Sequence, residues 1–186
     1  MGFWSDQATE PKRAYRWVLF MGGIPQWLCK KVSKPSFTVS ETEHTYLNHK
    51  FWYPGRVEWN TVSVTLADPV NPDAAETMMA ILAQSGYNIP LAADQTKTMS
   101  KKAAVNALGR LAIQQIGPEG NKIEEWVLVN AWVKDVKFGE LDYTSDDMVD
   151  VELEIRYDYA ILNDIKTGTY KNGVPPGQGS IGDALT

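Results

Sequence analysis

Residues 150–161 read Asp-Val-Glu-Leu-Glu-Ile-Arg-Tyr-Asp-Tyr-Ala-Ile, and charged and apolar side chains alternate along nearly all of this stretch. Successive side chains of a β-strand point to opposite faces, so the pattern predicts a long strand with one apolar and one charged face. Such strands are typical of antiparallel sheets that pack one face and expose the other to water. The charged phase holds Asp150, Glu152, Glu154, Arg156 and Asp158, of which Glu152, Glu154 and Asp158 are the candidate site residues.

The neighbouring stretch, residues 122–136, is apolar in both phases, which predicts a strand that is covered on both faces and pairs with residues 150–161. Earlier in the chain, residues 14–21 and 26–33 predict a strand pair joined by a Gly-Gly-Ile-Pro turn. Residues 37–53 predict an extended hairpin with a polar tip at residues 40–44.

A strong turn signal, Pro54-Gly55, precedes a predicted long strand over residues 56–67. Its apolar phase slips in the middle, and a bulge near Asn60 would repair the mismatch. Asn71 as N-cap and Pro72 at the first helical position predict a helix over residues 74–85. A shorter helical turn is expected over residues 100–106.

Size and charge restrict the class of protein. A chain of 186 residues is long enough for one domain with a sizeable core. The net charge is −5 and no basic stripe occurs, so binding that depends on many phosphate contacts is not expected. The single cysteine, Cys29, excludes an internal disulfide and fits a reducing cytoplasm. Seven tryptophans and eight tyrosines are many for this size, and large aromatic residues often anchor interfaces between subunits.

Composition divides the chain into three parts: an N-terminal arm (residues 1–12), a β domain (13–164) and a tail rich in glycine and proline (165–186). We expect a neighbouring subunit to order the tail. The arm lacks the apolar core of a signal peptide, and no apolar run approaches the ~20 residues of a membrane span. The sequence therefore predicts synthesis in the cytoplasm and no membrane partner.

Candidate sites for chemistry are weak. Residues 177–182 match G-x-G-x-x-G, but no strand precedes them and the chain ends four residues later, so no nucleotide site is predicted. His44 and His49 are five apart in a predicted hairpin, and an odd spacing along one strand would send them to opposite faces. Three aspartates crowd one turn without the spacing of a calcium loop: Asp142, Asp146 and Asp147.

The remaining candidates also favour structural roles. Carboxylates that alternate along one open strand lack the facing geometry of a glycosidase pair, so Glu152, Glu154 and Asp158 predict a solvated face. Cys29 lies beside Leu28 in a predicted strand and is expected to be a core thiol. We therefore predict no catalytic residue, no cofactor and no metal.

The order of these elements resembles the tail tube proteins of contractile-tailed bacteriophages, which are related in fold to the tubes of phage-derived injection systems. The resemblance covers residues 13–161. Three stretches carry it: Phe-Trp-Tyr-Pro-Gly-Arg-Val-Glu-Trp at 51–59, Val-Leu-Val-Asn-Ala-Trp-Val-Lys-Asp-Val at 127–136, and the alternating strand over residues 149–159.

This resemblance implies a mainly β fold, an antiparallel sandwich or half-barrel with one main helix packed at its edge. It implies six copies per ring, with one sheet of each joined into a continuous barrel, and rings stacked into a tube. The implied partners are further copies, a tail sheath protein, tape measure protein, baseplate and tail terminator proteins, and DNA that passes through without specific binding. The implied location is the tail of the virion.

Two surfaces follow from this interpretation. The hairpin over residues 37–53 is predicted to reach the adjacent ring through Tyr46, Leu47, Phe51, Trp52 and Tyr53. The acidic face of Glu152, Glu154 and Asp158 is predicted to line the channel, where like charge disfavours adhesion of DNA.

Three alternatives stay open. The chain could form an adaptor ring at the neck or baseplate, or the inner tube of a contractile injection system. In another class, it could be a small β-barrel enzyme or ligand-binding protein whose pocket between the sheets uses Trp17, Trp59, Trp126 or Trp132. Self-assembly separates the first two from the third.

Overall fold

The computed structural model describes residues 11–89 and 98–164. These ranges contain two α-helices, α1 (Ala74–Gln84) and α2 (Lys101–Leu108), and ten strands. The strands are β1 (Trp17–Phe20), β2 (Cys29–Val32), β3 (Phe37–Tyr46), β4 (His49–Trp59), β5 (Val62–Ala67), β6 (Leu111–Ile116), β7 (Lys122–Val129), β8 (Trp132–Lys137), β9 (Asp150–Arg156) and β10 (Tyr159–Asp164).

The strands form two four-stranded sheets and one separate hairpin. The first sheet has the order β1-β6-β7-β10, and the second sheet has the order β2-β5-β9-β8. Every neighbouring pair is antiparallel. The hairpin consists of β3 and β4 and forms a sheet of its own.

The core lies between the two sheets and under α1. Alternation in β5 buries Val62, Val64 and Leu66, and β9 places Leu153 directly beside Val64. The first sheet contributes Leu111 and Leu128 among others to the same cluster. Met78 and Ile81 of α1 close it from the side. The predicted class, a mainly β sandwich with one main helix at its edge, is confirmed, and the short second helix expected over residues 100–106 is α2.

The prediction of one strand over residues 150–161 is wrong. The stretch ends β9 at Arg156, turns at Tyr157 and Asp158, and continues as β10 in the other sheet. The Asp158 N–H donates to the Val129 carbonyl oxygen at 3.0 Å, and this bond fixes the corner. The buried phase changes there, because Tyr157 and then Ala160 are buried. In the sequence, charged and apolar residues continue to alternate through these two residues, so the pattern could not reveal the corner.

A matching corner divides the predicted strand over residues 122–136. Asn130 adopts a left-handed φ of 54° and separates β7 from β8. The predicted pairing of the two stretches is confirmed twice, since β7 pairs with β10 and β8 pairs with β9. Coverage on both faces holds only for β7, in which every residue after Lys122 is at least half-buried.

Other expectations also need correction. The N-terminal strand pair is not a hairpin, because β1 and β2 belong to different sheets. The N-cap of α1 is Asp73, whose side chain accepts a hydrogen bond from the Glu76 N–H, rather than Asn71. The arm over residues 1–12, except its last two residues, and the tail over 165–186 lie outside the described residues.

Candidate functional site

Both sheets have open edges in the described part of the chain. β1 and β10 border the first sheet, and β2 and β8 border the second. An open edge presents backbone N–H and C=O groups that can pair with another chain. The candidate functional site is therefore a set of assembly surfaces.

The outer face of the second sheet is polar across its four strands except at Trp132, at the start of β8. Register places Lys31 beside Thr65, Thr65 beside Glu152, and Glu152 beside Lys137, so these residues form one row. The exposed residues of these four strands are all polar or charged: Lys30, Lys31, Ser63, Lys134, Asp135, Lys137, Glu152 and Arg156. One large apolar side chain shares this face: register places Trp132 beside Arg156, and Trp132 is partly buried. The rest of the face can contact water through polar side chains.

Lysines pair with the carboxylates that the sequence singled out. Lys134 donates to Glu154 at 2.9 Å, and Lys137 lies 3.8 Å from Glu152. The hydrogen bond and charge of Lys134 hold the pKa of Glu154 below its usual value. Glu152 and Glu154 thus share one face, as predicted, but that face is closer to charge balance than an acidic wall.

Asp158 is not on the same strand as the two glutamates. It lies at the corner before β10, where its carboxylate accepts hydrogen bonds from Lys101 at 2.7 Å and Asn130 at 2.7 Å. These two hydrogen bonds hold the pKa of Asp158 below its usual value. The arrangement joins α2 to the corner between the sheets, which is a structural role.

The outer face of the first sheet is different in character. Register joins Phe20, Ala112, Val127 and Ile161 in an apolar row on the face opposite the core. The adjacent row contains Glu125, which accepts a hydrogen bond from Gln114 at 2.7 Å. This mixed surface has a cavity of about 360 Å³ beside Phe20.

The hairpin projects away from the sandwich. Every residue of β3 and β4 is exposed except Trp59. Hydrogen bonds at its base, Ser33 N–H to the Ser63 carbonyl at 2.9 Å and Asn60 N–H to the Ser36 carbonyl at 2.9 Å, continue the direction of β2 and β5. A two-stranded ribbon is marginally stable in water. Its exposure therefore indicates a surface that another molecule covers.

The five predicted contact residues occupy three positions on the hairpin. Register pairs Tyr46 with His49, His44 with Phe51 and Thr42 with Tyr53, so Tyr46, Phe51 and Tyr53 share one face. Trp52 lies on the opposite face beside Glu43. Leu47 lies at the turn and is 81% exposed. We name the face of Tyr46, Phe51 and Tyr53 the aromatic face.

The structure also moves the hairpin's tip and corrects the histidine prediction. The strands join at Leu47 and Asn48, so residues 40–44 lie within β3. His44 and His49 belong to different strands and share the aromatic face, whereas one strand would have separated them. No group of three metal-ligating side chains occurs among the described residues.

Pro54-Gly55 lies inside β4 rather than at a turn: Pro54 pairs with Glu41, and Gly55 and Arg56 form a bulge opposite Ser40. Ser40 has no single partner there, and its Oγ accepts a hydrogen bond from the Arg56 N–H at 2.8 Å. A Cβ on Gly55 would lie 2.3 Å from that Oγ, so a larger residue there would displace the Ser40 side chain. β4 stays paired with β3 on both sides of the bulge.

Sequence reasoning missed a buried carboxylate. Glu124 in β7 is only 7% exposed and receives hydrogen bonds from Lys12, Lys34 and the indole of Trp126. Burial raises the pKa of its carboxyl, but these donors outweigh burial and hold the pKa below the usual 4.5. The only signal was a glutamate pair in an apolar strand.

Among the described residues, the tryptophans that the sequence singled out do not surround a ligand pocket between the sheets. Trp17, Trp59 and Trp126 pack against the core. The cavity beside Trp17 and Trp126 is about 60 Å³, far below the ~300 Å³ that small-molecule sites begin at. Trp132 lines a larger surface cavity of about 550 Å³ between α2 and the corner.

The Cys29 thiol lies half-buried against the core, and burial raises its pKa to about 11. A thiol with that pKa is protonated at neutral pH and is a poor nucleophile. Neither helix of the described residues has the length and apolarity that crossing a bilayer requires.

Comparison with known proteins rests on the fold. The sequence matches no protein-family model and no curated protein. Among solved structures, a chain of the 6-fold symmetrised baseplate of the anti-feeding prophage matches with a TM-score of 0.60 and 15% identity, covering 85% of this chain and 99% of that one.

Two further matches come from assemblies of the same kind. A chain of the tube-terminating cap of the anti-feeding prophage has a TM-score of 0.60 and 16% identity over 88% of this chain and 99% of that one. A chain of the sheath-tube complex of the PVC extracellular contractile injection system has a TM-score of 0.59 and 16% identity over 85% and 95%. The protein thus has the fold of components of contractile injection systems, the fold that its resemblance to tail tube proteins predicted.

Proposed function

We propose that this chain is the tube subunit of a contractile tail or a related injection system, in which six copies form a ring and rings stack into a hollow tube. The fold shared with chains of such particles supports the proposal. The observation that carries it is the second sheet, which has four strands, two open edges and a polar outer face.

The strand directions of the second sheet allow a ring to close. Its strands alternate in direction, so β2 and β8 run opposite to each other. When copies are related by rotation about a common axis, β8 of one copy meets β2 of the next as an antiparallel pair. Closure satisfies both open edges at once and leaves no unpaired margin.

A ring of six such sheets is a barrel of twenty-four strands. With neighbouring strands about 4.8 Å apart, the barrel is roughly 40 Å across between opposite backbones. Barrels of about 16–18 strands already leave an aqueous channel. The ring therefore encloses a channel wide enough for a large cargo.

The second sheet rather than the first is assigned to the channel wall. Its outer face is polar, whereas the first sheet would expose an apolar row that includes Phe20 and Val127 to the channel. Lysines on an edge strand usually oppose pairing with another chain. Lys134 and Lys137 of β8 instead pair with Glu154 and Glu152 of their own sheet, so they leave the edge free to pair. Glu152 and Glu154 thus face the channel, and a nearly balanced wall adheres weakly to DNA or to a tape measure protein.

The remaining surfaces are assigned to other partners. The hairpin continues from the end of the channel sheet and would cross to the adjacent ring, where its aromatic face becomes buried. The first sheet then faces outward, and the apolar row that contains Phe20 and Val127 is available to a tail sheath protein. Baseplate and terminator proteins would cover the two ends of the tube. The place of action is the tail of the virion or the equivalent particle, and no catalytic role is proposed.

An adaptor ring is the second candidate, because one match comes from a baseplate and another from a tube-terminating cap. Such a protein also closes a ring but does not stack. The hairpin favours the tube, since a terminal ring needs no projecting aromatic surface at that end.

Assembly of the purified protein tests the proposal. Negative-stain electron microscopy and sedimentation velocity at rising protein concentration should show six-fold rings and hollow tubes. Rings that never stack would indicate the adaptor. A monomer at every concentration would contradict both assignments.

A further inference from the structure

The margins of the second sheet carry exposed apolar residues at the same end. Trp27 immediately precedes the buried Leu28 before β2 and is 68% exposed. Phe138 immediately follows β8 and is 43% exposed. The row from Lys31 through Thr65 and Glu152 to Lys137 shows that the start of β2 and the end of β8 lie at one end of the sheet.

The segment after β8 presents more apolar surface. Every residue from 138 to 148 is exposed, and three large apolar side chains follow Phe138: Leu141, Tyr143 and Met148. Single exposed apolar side chains are ordinary, but a cluster on one loop marks a surface that another molecule covers. We name residues 138–149 the seam loop.

Charge on the two margins is complementary. The seam loop contains four carboxylates and no lysine or arginine. Asp142 and Asp147 accept hydrogen bonds only from Thr144 and Ser145 of the same loop, and no carboxylate of the loop forms an ion pair with another described residue. The opposite margin carries Lys30 and Lys31, of which Lys30 already pairs with Asp150 at 2.8 Å.

We propose that the seam loop of one copy docks on Trp27 and Lys31 of the next copy and that this contact determines which edges join within a ring. The inference rests on the proposed function, because ring closure brings the end of β8 beside the start of β2. A second copy is the occupant: the two patches lie on opposite edges, at one end, with complementary charge. A loop of twelve residues can also follow the stagger that barrel closure introduces.

Cysteine cross-linking tests the contact. The parent is Cys29→Ala, and the two test proteins add Trp27→Cys with Phe138→Cys or Trp27→Cys with Leu141→Cys. Under mild oxidation of assembled rings, at least one pair should give a ladder of covalent oligomers up to six copies. The matched control, Trp27→Cys with Tyr87→Cys, joins Trp27 to an exposed aromatic position that follows α1 and should give no ladder.

The outcomes separate this inference from the proposed function. Rings without a ladder from either pair would overturn the seam contact and leave the tube assignment standing. Wild-type protein that never assembles would overturn both. Independently, Trp27→Ala should raise the concentration needed for ring formation roughly tenfold, and unchanged assembly would contradict the proposal.

Discussion

At the scale of single residues, two positions break local rules. Leu47 adopts a φ of 51°, a left-handed conformation that a branched side chain rarely takes, and it is exposed as well. Glu124 buries a carboxylate in an apolar strand. Such departures occur where function or a specific partner requires them.

Leu47→Gly should separate folding from stacking. Glycine adopts a positive φ without strain, so the free energy of unfolding of the unassembled protein should rise by about 1 kcal/mol. Tube length should fall, because the side chain at the tip is lost. Urea unfolding and electron microscopy measure the two effects, and a less stable subunit would refute the strain argument.

Glu124→Gln should weaken the fold at neutral pH. Because the folded-state pKa of Glu124 is depressed, its stabilisation is complete above pH 4.5 and is lost as the pH falls through the folded-state value. The variant should lose about 1–3 kcal/mol at pH 7 and show a smaller fall in stability on acidification. Urea unfolding from pH 7 to pH 3 tests this, with the exposed Glu119→Gln as control. Equal pH profiles for the variant and the wild type would contradict it.

At the scale of elements, the hairpin and the two corners decide the architecture. The hairpin forms its own sheet beyond the ends of β2 and β5, and the corners at Asn130 and Asp158 move the chain between the two four-stranded sheets. Both corners depend on contacts between distant segments, such as the Asp158 N–H with the Val129 carbonyl. Each corner divides one long stretch of chain into two shorter strands, and the two strands belong to different sheets.

Tyr46→Ala with Phe51→Ala should block stacking but leave rings intact. Both side chains lie on the aromatic face, so their loss removes one contiguous surface. Trp52→Ala is the matched variant on the opposite face. Electron microscopy should show single rings for the double variant, and normal tubes from it would remove the hairpin from the contact between rings.

The sequence predicted features that depend on neighbouring residues and missed those that depend on contacts between distant strands. Alternation identified the core strands β5 and β9, and helix-forming residues located α1 to within one residue. Glycine and proline at 54–55 predicted a turn where a bulge occurs, because local chemistry is the same for both. The pairing of Lys134 with Glu154, and the shared face of His44 and His49, depend on register between strands, which a one-dimensional pattern does not contain.

At the scale of the whole molecule, one sheet is assigned to the channel and the other to the exterior. The assignment explains why the outer face of the second sheet is polar while that of the first is half apolar. It also explains why the two margins of the second sheet carry complementary patches. In a ring, the polar face lines the channel and the two patches meet at each boundary between copies.

Reversing the channel charge should make tubes retain DNA. Glu152→Lys with Glu154→Lys leaves the lysines at 134 and 137 without their partners, so the wall becomes strongly basic. Tubes should still form, but ejection of DNA should slow and added DNA should bind in a salt-dependent way. Glu76→Lys with Glu119→Lys adds the same charge elsewhere and should not. Normal ejection and no retention would reject the channel assignment.

Cryo-electron microscopy of the assembled protein shows which backbone edges join. We expect a continuous antiparallel barrel in which β8 of each copy pairs with β2 of the next and the row of Lys31 and Glu152 faces the channel. Rings closed instead through β1 and β10, or particles in which β2 and β8 remain unpaired, would contradict it.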